Sequence, residues 1–190
     1  MATKMFTGKG DDGKTTTYGC NQRLSKSSAT AEALGALDEA NSFLGFAKIL
    51  AKKLKLQIYR GLAFHLLIHG LQENIFKIQA EVAGFPMSTE PAKVKALESV
   101  ISEIEKQLPP IKTFFISGGT ELAATLDFAR TLARRAERRV VAVHEESKET
   151  KTKISKETLA YLNRLSSILY ALARLANHRA KIKEQPPTYA

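Results

Sequence analysis

A glycine-rich loop near the start of the chain is the first feature with residue types suited to chemistry. Residues 8–15 read GKGDDGKT, which matches both the GxxxxGKT and the GxGxxG phosphate-binding patterns. Closely spaced glycines let backbone N–H groups turn toward an anion, and the lysines and threonines add charge and hydroxyl donors. Both patterns carry meaning only between a buried strand and a helix, and Met5 and Phe6 alone do not make a convincing strand. We therefore expect either a phosphate-binding loop or a flexible basic N-terminus, and not a P-loop nucleoside triphosphatase.

A row of arginines is the second such feature. The segment RTLARRAERR places Arg130, Arg134 and Arg138 along one helix face, with two further arginines beside them and Glu137 three residues from Arg134, close enough to orient it. The planar guanidinium binds two phosphate oxygens at once, although charged rows are often solvated or contact nucleic acid. Small and apolar residues fill the rest of the circumference. We therefore expect other helices or subunits to enclose this helix, with Asp38 or a triphosphate as its anionic partner.

Three other polar or aromatic features have a functional and a structural interpretation. Asn163 interrupts an apolar helix, where a buried amide either contacts a nucleotide or fixes helix register. Phe114 precedes a Ser-Gly-Gly turn and packs either in the core or in a pocket wall. His65 and His69 have the i, i+4 spacing of metal ligands, but no carboxylate motif accompanies them, so a structural role is favoured.

Five long helices are predicted to position these side chains, forming an all-α antiparallel bundle. No strand-and-turn series and no repeat is evident. The first, third and fifth helices are expected to begin at the capping residues Thr30, Thr89 and Ser155. The second is expected from Leu54 to Val82, with Ile58, Leu62, Leu66 and Phe76 facing inward, and the fourth from near Thr120 to His144. One domain is expected over 1–190, with the glycine-rich loop in 1–29, the bundle in 30–183 and a loose tail in 184–190.

Composition limits the class of protein and its surroundings. With 190 residues, 44% hydrophobic and 25% charged, the chain is typical of a globular domain. Its formal charge of +10 attracts polyanions such as nucleic acid, an anionic membrane surface or nucleotide phosphates. The single cysteine, Cys20, cannot form an internal disulfide, and no signal peptide or membrane-length apolar run is evident. We expect a cytoplasmic protein with no membrane partner.

Four segments together resemble the PduO-type ATP:cob(I)alamin adenosyltransferases, and they cover nearly the whole chain. They are TGKGDDGKTT, AEALGALDEANSFLGFAK, FFISGGTELAATLDFARTLARRAERRVVAV and LNRLSSILYALARLAN. The arginine-rich segment followed by LNRLS is the specific part. The family usually has Pro, His and Asp where Ser117, Asp127 and Ser167 stand here, an Arg where Thr30 stands, and one residue fewer before Lys26.

The resemblance implies a role for each matching residue. The positions that match ATP contacts of the family are Lys26 and Asn163, the loop residues Thr7, Gly8, Lys9, Gly10, Thr15 and Thr16, and the triphosphate-binding residues Arg134, Arg135, Glu137 and Arg138. Arg130 matches the arginine that pairs with an aspartate of a neighbouring subunit, here Asp38. Phe114 matches the ring that fills the space below the corrin and displaces its lower ligand.

The resemblance also implies a reaction and partners. The expected activity is transfer of the 5′-deoxyadenosyl group of ATP to the cobalt of cob(I)alamin, with Mg²⁺ bound mainly through the ATP phosphates. The expected assembly is a homotrimer with active sites between subunits, served by a cobalamin reductase and a B12-dependent acceptor enzyme. Two rival readings are a nucleic-acid-binding helical protein and a non-catalytic bundle that binds nucleotide or cobalamin.

Overall fold

Five helices make up most of the protein, as the computed structural model of residues 5–17, 23–146 and 154–189 shows. The predicted all-α bundle is confirmed. The helices are α1 (Ala29–Lys53), α2 (Phe64–Val82), α3 (Pro91–Glu105), α4 (Glu121–Glu146) and α5 (Lys156–Arg179). Two short antiparallel hairpins accompany them, one formed by β1 (Lys14–Thr16) and β2 (Arg23–Ser25) and the other by β3 (Gln57–Tyr59) and β4 (Leu62–Ala63). Cys20 and most of the linker after α4 lie outside the described residues.

The helix α4 lies between α1 and α5, which are its main contacts, while α2 packs on α1 and α3 packs on α5. Its core face consists largely of alanines, with Ala123, Ala129, Ala133 and Ala136 at most 1% exposed. Small side chains let the backbones of α1, α4 and α5 approach closely, and this close packing fixes the position of the arginine row. No helix in the described part of the chain is long and apolar enough to cross a membrane.

Two of the three predicted helix caps are wrong. The cap of α1 is Ser28, whose hydroxyl accepts from the Ala31 N–H at 3.3 Å, and not Thr30, which lies inside the helix. Ser155 caps α5 as predicted. Thr89 does not cap α3, because its hydroxyl is buried and hydrogen-bonded to the Thr158 hydroxyl at 2.7 Å. Tertiary contact with α5 thus replaces the local cap that its sequence position suggests.

The second predicted helix, from Leu54 to Val82, is wrong in its first ten residues. The chain instead forms the β3–β4 hairpin, which Gly61 closes at a φ of +92°, and α2 begins only at Phe64. The apolar period extended back across this hairpin has the wrong phase. Leu66 and Phe76, expected to face inward, are therefore 54% and 62% exposed, and the buried face consists of Phe64, Ile68, Leu71, Ile75, Ile78 and Val82.

A buried carboxylate joins the ends of α2 and α5. Glu81 is 5% exposed and accepts hydrogen bonds from the Ser155 N–H at 2.6 Å and from the Thr158 hydroxyl at 2.5 Å. The Thr158 hydroxyl in turn is bonded to Thr89 at the start of α3. Because a buried polar group must be hydrogen-bonded, this network fixes three helix ends relative to one another at the end of α5 remote from Asn177.

Candidate active site

A cavity of about 600 Å³ opens where α4 and α5 meet the segment that connects α3 to α4. It has an aromatic side and a charged side. Its walls are formed by Ile111, Phe114, Phe115, Ile116 and Ser117 from the connecting segment, Asp127, Arg130 and Arg134 from α4, Ser166, Ser167, Tyr170, Ala173, Arg174 and Asn177 from α5, and Glu184 beyond it. An apolar wall with a few convergent polar groups is the usual form of a small-molecule site.

The aromatic wall is exposed to the cavity and is not part of the core. Phe114 is 78% exposed, so of its two predicted placements the structure shows the pocket wall. Phe115, beside it, is half-buried and packs on the guanidinium of Arg174, 5.1 Å from the ring centroid. The Ile116 N–H donates to the Gln185 carbonyl at 2.9 Å. We call residues 109–118 the aromatic segment. The start of the predicted loose tail is therefore hydrogen-bonded to the aromatic segment.

Two glycines and Asn177 join this segment to α4. Gly118 and Gly119 have φ values of +133° and +97°, which favour glycine. The buried Asn177 amide accepts from the Thr120 N–H and donates to the Gly118 carbonyl, both at 2.9 Å. Sequence reasoning missed Asn177, although an Asn at the end of the apolar run LARLAN was a usable signal.

Arg130 and Arg134 both line the cavity, but their surroundings differ. Arg130 is half-buried, donates to the Asp127 carboxylate at 3.3 Å and lies 6.0 Å from the centroid of the Tyr170 ring. Burial raises the pKa of the Tyr170 phenol, so this wall group stays a neutral hydroxyl at neutral pH. Arg134 is exposed at the cavity rim. The pair thus presents cationic donors along one side of the cavity.

The expected enclosure of the arginine row is not provided by this chain alone. Arg134 and Arg138 are exposed, and so is Asp38 on α1. Within the chain, the carboxylate that Arg130 contacts is that of Asp127, and not that of Asp38. Alanines cover only the core side of α4, so the opposite side of the helix remains open to a second molecule.

The second arginine row pairs with α1. Arg135 forms an ion pair with Glu39, and Arg139 lies 3.5 Å from Glu32. These exposed pairs border a separate groove between α1 and α4 and do not line the aromatic cavity. The structure therefore does not bring Arg135 together with Arg134, although both belong to the same predicted phosphate-binding stretch.

Asn163 is exposed and not buried as expected. Its amide donates to the Glu137 carboxylate at 3.1 Å and accepts from Arg164 at 2.6 Å, and Arg164 also donates to Glu98 at 2.9 Å. Glu137 was expected to orient Arg134, but it contacts Asn163 instead because its side chain points across to α5. This network fixes the amide orientation of Asn163, with its remaining donor and acceptor open to solvent.

The glycine-rich loop is held by internal hydrogen bonds. Gly8 and Gly13 have positive φ values, and the Gly13 N–H donates to the Gly10 carbonyl at 3.2 Å. Arg23, which sequence reasoning missed, donates to the Lys9 carbonyl and to the Asp12 carboxylate, the latter at 2.7 Å. A short strand follows the loop, and not the helix that a P-loop requires.

Lys26 lies against the glycine-rich loop. Its N–H donates to the Gly13 carbonyl at 2.9 Å, and a Cβ added at Gly10 would lie 3.1 Å from its ammonium nitrogen. Thr7, Lys9 and Thr16 are exposed and Thr15 is half-buried in β1. The β1–β2 hairpin contacts mainly itself, and its residues do not line the aromatic cavity. One chain therefore presents the loop and the cavity as separate surfaces.

The histidine pair and the implied magnesium find no ligand cluster. His69 lies 3.9 Å from Glu73 on the surface of α2. Among residues 5–17, 23–146 and 154–189, no three His, Cys, Asp or Glu side chains lie together as metal ligands would. The described residues offer a triphosphate the side chains of arginine and lysine together with backbone N–H donors.

Known proteins are similar to this chain in both sequence and fold. The family model described as cobalamin adenosyltransferase matches residues 5–176. The corrinoid adenosyltransferase PduO of Citrobacter freundii is 36% identical over 185 residues, which are 93% of this chain and 50% of that protein. The corrinoid adenosyltransferase of Bacillus subtilis is 36% identical over 186 residues, covering 94% of this chain and 89% of that protein. The chain thus spans about half the length of the Citrobacter relative.

Among solved structures, the fold superimposes on a variant PduO-type ATP:corrinoid adenosyltransferase from Lactobacillus reuteri, complexed with cobalamin and ATP. The TM-score is 0.83 at 27% identity, covering 98% of this chain and 97% of that chain. The similarity includes the five helices and extends to the residues before α1. With the family model matching most of its length, this chain belongs to the cobalamin adenosyltransferase family.

Proposed function

We propose that this protein transfers the 5′-deoxyadenosyl group of ATP to the cobalt of cob(I)alamin and releases triphosphate. The observation that carries the proposal is that Arg134 and Phe114 line the same cavity. One supplies a cation for a departing polyphosphate, and the other supplies an apolar ring for a flat macrocycle. The approximate volume of 600 Å³ fits part of such a complex, with the remainder open to solvent or to a second subunit.

The reaction is a substitution at carbon. Cobalt(I) attacks C5′ of ATP, a cobalt–carbon bond forms, and the C5′–O bond breaks with both electrons leaving on the triphosphate. No proton moves in this step, so the site needs no general base. What the protein must stabilise is the negative charge that grows on the leaving oxygen, and Arg134 at the cavity rim is suited to this.

Positioning is the second task of the site. The glycine loop with Lys9 and Lys26 binds the phosphates, and Asn163 offers one donor and one acceptor to the nucleoside. Holding C5′ in line with cobalt removes about 7–11 kcal/mol from the barrier of such a reaction. The internal bonds of the loop keep its donors ordered before ATP arrives.

Phe114 acts on the other substrate. Its ring projects into the cavity, where it occupies the space below the corrin and keeps the lower nitrogen ligand away from cobalt. Loss of that ligand lowers the energy of the axial cobalt orbital and eases reduction to cobalt(I). The surrounding apolar wall also excludes water from this reactive species.

We further propose a homotrimer whose active sites lie between subunits. An aromatic patch on α1 and α4 supports this, since Phe46 and Phe128 are 66% and 54% exposed and both contact Phe43. Exposed patches of this kind usually mark interfaces. Asp38 is also exposed on α1, about two helical turns before Phe46. In the trimer it pairs with Arg130 of a neighbouring subunit, whose remaining guanidinium donors stay available beside Asp127.

The proposal extends to the surroundings of the enzyme. A reductase supplies cobalt(I), and a B12-dependent enzyme accepts the product, in the cytoplasm. A nucleic-acid-binding role is less well supported, because Arg135 and Arg139 are already paired with glutamates on α1. The replacement residues Ser117, Asp127 and Ser167 all line the cavity, so they bear on the corrin pocket and not on the reaction class.

One spectrum tests the activity. Purified protein with chemically reduced cobalamin, ATP and Mg²⁺ is expected to convert the cob(I)alamin absorbance to that of the adenosylated form, with one triphosphate released per turnover. A non-catalytic binding protein would bind ATP or cobalamin without this conversion. Omission of ATP is the control, and a spectrum that stays unchanged with ATP present would contradict the proposal.

A further inference from the structure

A buried arginine on α5 is not used by any step proposed above. Arg174 is 6% exposed and lies in the cavity wall. Its Nε lies 3.0 Å from the Glu184 carboxylate, its Nη2 donates to the Pro109 carbonyl at 3.3 Å, and its guanidinium packs over the Phe115 ring at 5.1 Å. One side chain thus contacts the start of the aromatic segment, its middle, and the chain beyond α5.

Core packing alone does not explain an arginine at this position. Removing a guanidinium and a carboxylate from water is unfavourable, so a buried ion pair is weak evidence for stability. The side chain of Glu184 is only 18% exposed. An apolar residue at position 174 would fill the core of α5 without this cost. What it would lose is the simultaneous contact with three separate segments.

These contacts belong to a larger set that fixes the aromatic segment at both ends. At its start, the Pro109 carbonyl is bonded to Arg174, and at its finish the Gly118 carbonyl is bonded to Asn177. Between them, the Ile116 N–H donates to Gln185, the residue after Glu184. The neighbouring ring of Phe114 makes no ring contact within the described residues and is 78% exposed. The segment is therefore held while this one ring is left free to meet a substrate.

We propose that Arg174 is a positioning residue for the corrin side of the reaction. Acting through Phe115 and Glu184, it holds residues 109–118 so that Phe114 stands where the lower face of the corrin arrives. The segment that follows α5 is then part of the corrin site, because Glu184 supplies the carboxylate that keeps the guanidinium in place. This inference rests on the proposed function and assigns roles to Arg174 and Glu184 in it.

Two variants and one matched control test the inference. Arg174→Gln removes the charge and the contact with the Phe115 ring. Glu184→Gln removes the carboxylate charge that holds the guanidinium, and Glu184 is less buried than Arg174. Arg179→Gln is the control, because Arg179 lies on the same helix but bonds Gln107 at 2.6 Å and the Ile58 carbonyl, away from the cavity. Both test variants are expected to lower kcat/KM for cob(I)alamin by about 10- to 100-fold, as displaced reactive groups do. The affinity for Mg-ATP, measured by calorimetry, is expected to stay within about twofold.

A spectroscopic readout separates positioning from a merely structural role. In Arg174→Gln with ATP present, the electron paramagnetic resonance signal of four-coordinate cobalt(II) is expected to fall, since Phe114 no longer excludes the lower ligand. In a Phe114→Ala background, the same change is expected to add less than about twofold to the loss of rate, because coupled residues are not additive.

Three results would overturn the inference: a wild-type cobalt(II) signal in Arg174→Gln, full additivity with Phe114→Ala, or an equal loss in Arg179→Gln. If Arg174→Gln does not fold, Glu184→Gln decides by the same signal. Failure of the wild-type protein to adenosylate would instead refute the proposed function. An active wild-type protein with unaffected Arg174 and Glu184 variants would refute this inference alone.

Discussion

At the scale of single residues, the arginines of α4 differ in what they contact. Arg130, Arg135 and Arg139 each lie beside a carboxylate of the same chain. Arg134 lines the cavity, and the structure pairs it with no carboxylate within the ranges it describes. Because no carboxylate in the described part of the chain occupies its guanidinium, the N–H donors of Arg134 remain available for an incoming anion. Its position, and not its residue type, therefore distinguishes it from its neighbours.

Replacing this residue tests the distinction. Arg134→Ala is expected to lower kcat by about 100- to 1,000-fold, the usual cost of removing one donor aimed at developing negative charge. Because Arg134 is exposed, the melting temperature is expected to stay unchanged. Arg139→Ala is the matched control, since it removes an exposed ion pair on the same helix, which contributes about 0–1 kcal/mol to stability. Near-normal turnover of Arg134→Ala in the cobalamin assay would rule out the role assigned to it.

The sequence predicted which residue types would carry chemistry better than it predicted their partners. Arg134 and Phe114 follow from motifs, and the structure places both in one cavity. Arg23 lies outside the motifs, and no role was predicted for Arg174 or Asn177, although both belong to the matching segment LNRLSSILYALARLAN. These three residues contact partners that lie 14, 65 and 57 positions away along the chain, respectively. Such contacts depend on how the helices pack, which local periodicity does not encode. The same reason explains why Asn163, expected inside the bundle, lies on its surface.

At the scale of elements, the position of the aromatic segment depends on how α4 begins. The turn before it has positive φ at Gly118 and Gly119, and the buried Asn177 amide occupies the space beside it. A Cβ built at Gly119 would lie 2.4 Å from the Asn177 side-chain oxygen. Sequence and packing thus require glycine here for two independent reasons, backbone conformation and lack of space.

Substitution of this glycine is therefore expected to be costly. Gly119→Ala is expected to lower the free energy of unfolding by about 2 kcal/mol or more, combining strain at positive φ with displacement of a buried amide. Gly70→Ala is the control, because Gly70 lies inside α2 with nothing within 4 Å of its added Cβ. That change is expected to be stabilising by about 0.5–1 kcal/mol. Equal stabilities of the two variants in urea unfolding would contradict this account of the turn.

The elements themselves were largely predictable. The apolar period identified all five helices, and the turn chemistry of Ser155 gave the start of α5. The β3–β4 hairpin was missed because Ile58 and Leu62 have the spacing of a helical apolar stripe. Gly61 alone indicates the turn between them. Short hairpins take their stability from the helices they pack on, so their own sequence indicates them weakly.

At the scale of the whole molecule, one chain presents two incomplete surfaces. The loop with Lys9 and Lys26 is ordered by its own hydrogen bonds but lies apart from the cavity. The cavity has Arg134 at an open rim and an aromatic patch on the adjoining face of α4. The proposed cyclic trimer would account for both features at once, because the loop of each chain would meet the cavity of the next.

This arrangement makes a prediction that a single-chain site does not. We expect Lys9→Glu and Arg134→Ala each to be inactive alone, since each damages one half of every shared site. When both chains are co-expressed in equal amounts with different affinity tags, about one third of the sites in mixed trimers combine an intact loop with an intact helix, since one of the three interfaces does so. Adenosylation by doubly purified trimers is therefore expected to recover to about that fraction of the wild-type rate. If the loop and the arginine of one site came from the same chain, every site would carry a damaged half and mixing would restore nothing. Light scattering on the same sample checks the mass, and a monomer that adenosylates at the full rate would remove the need for a neighbour altogether.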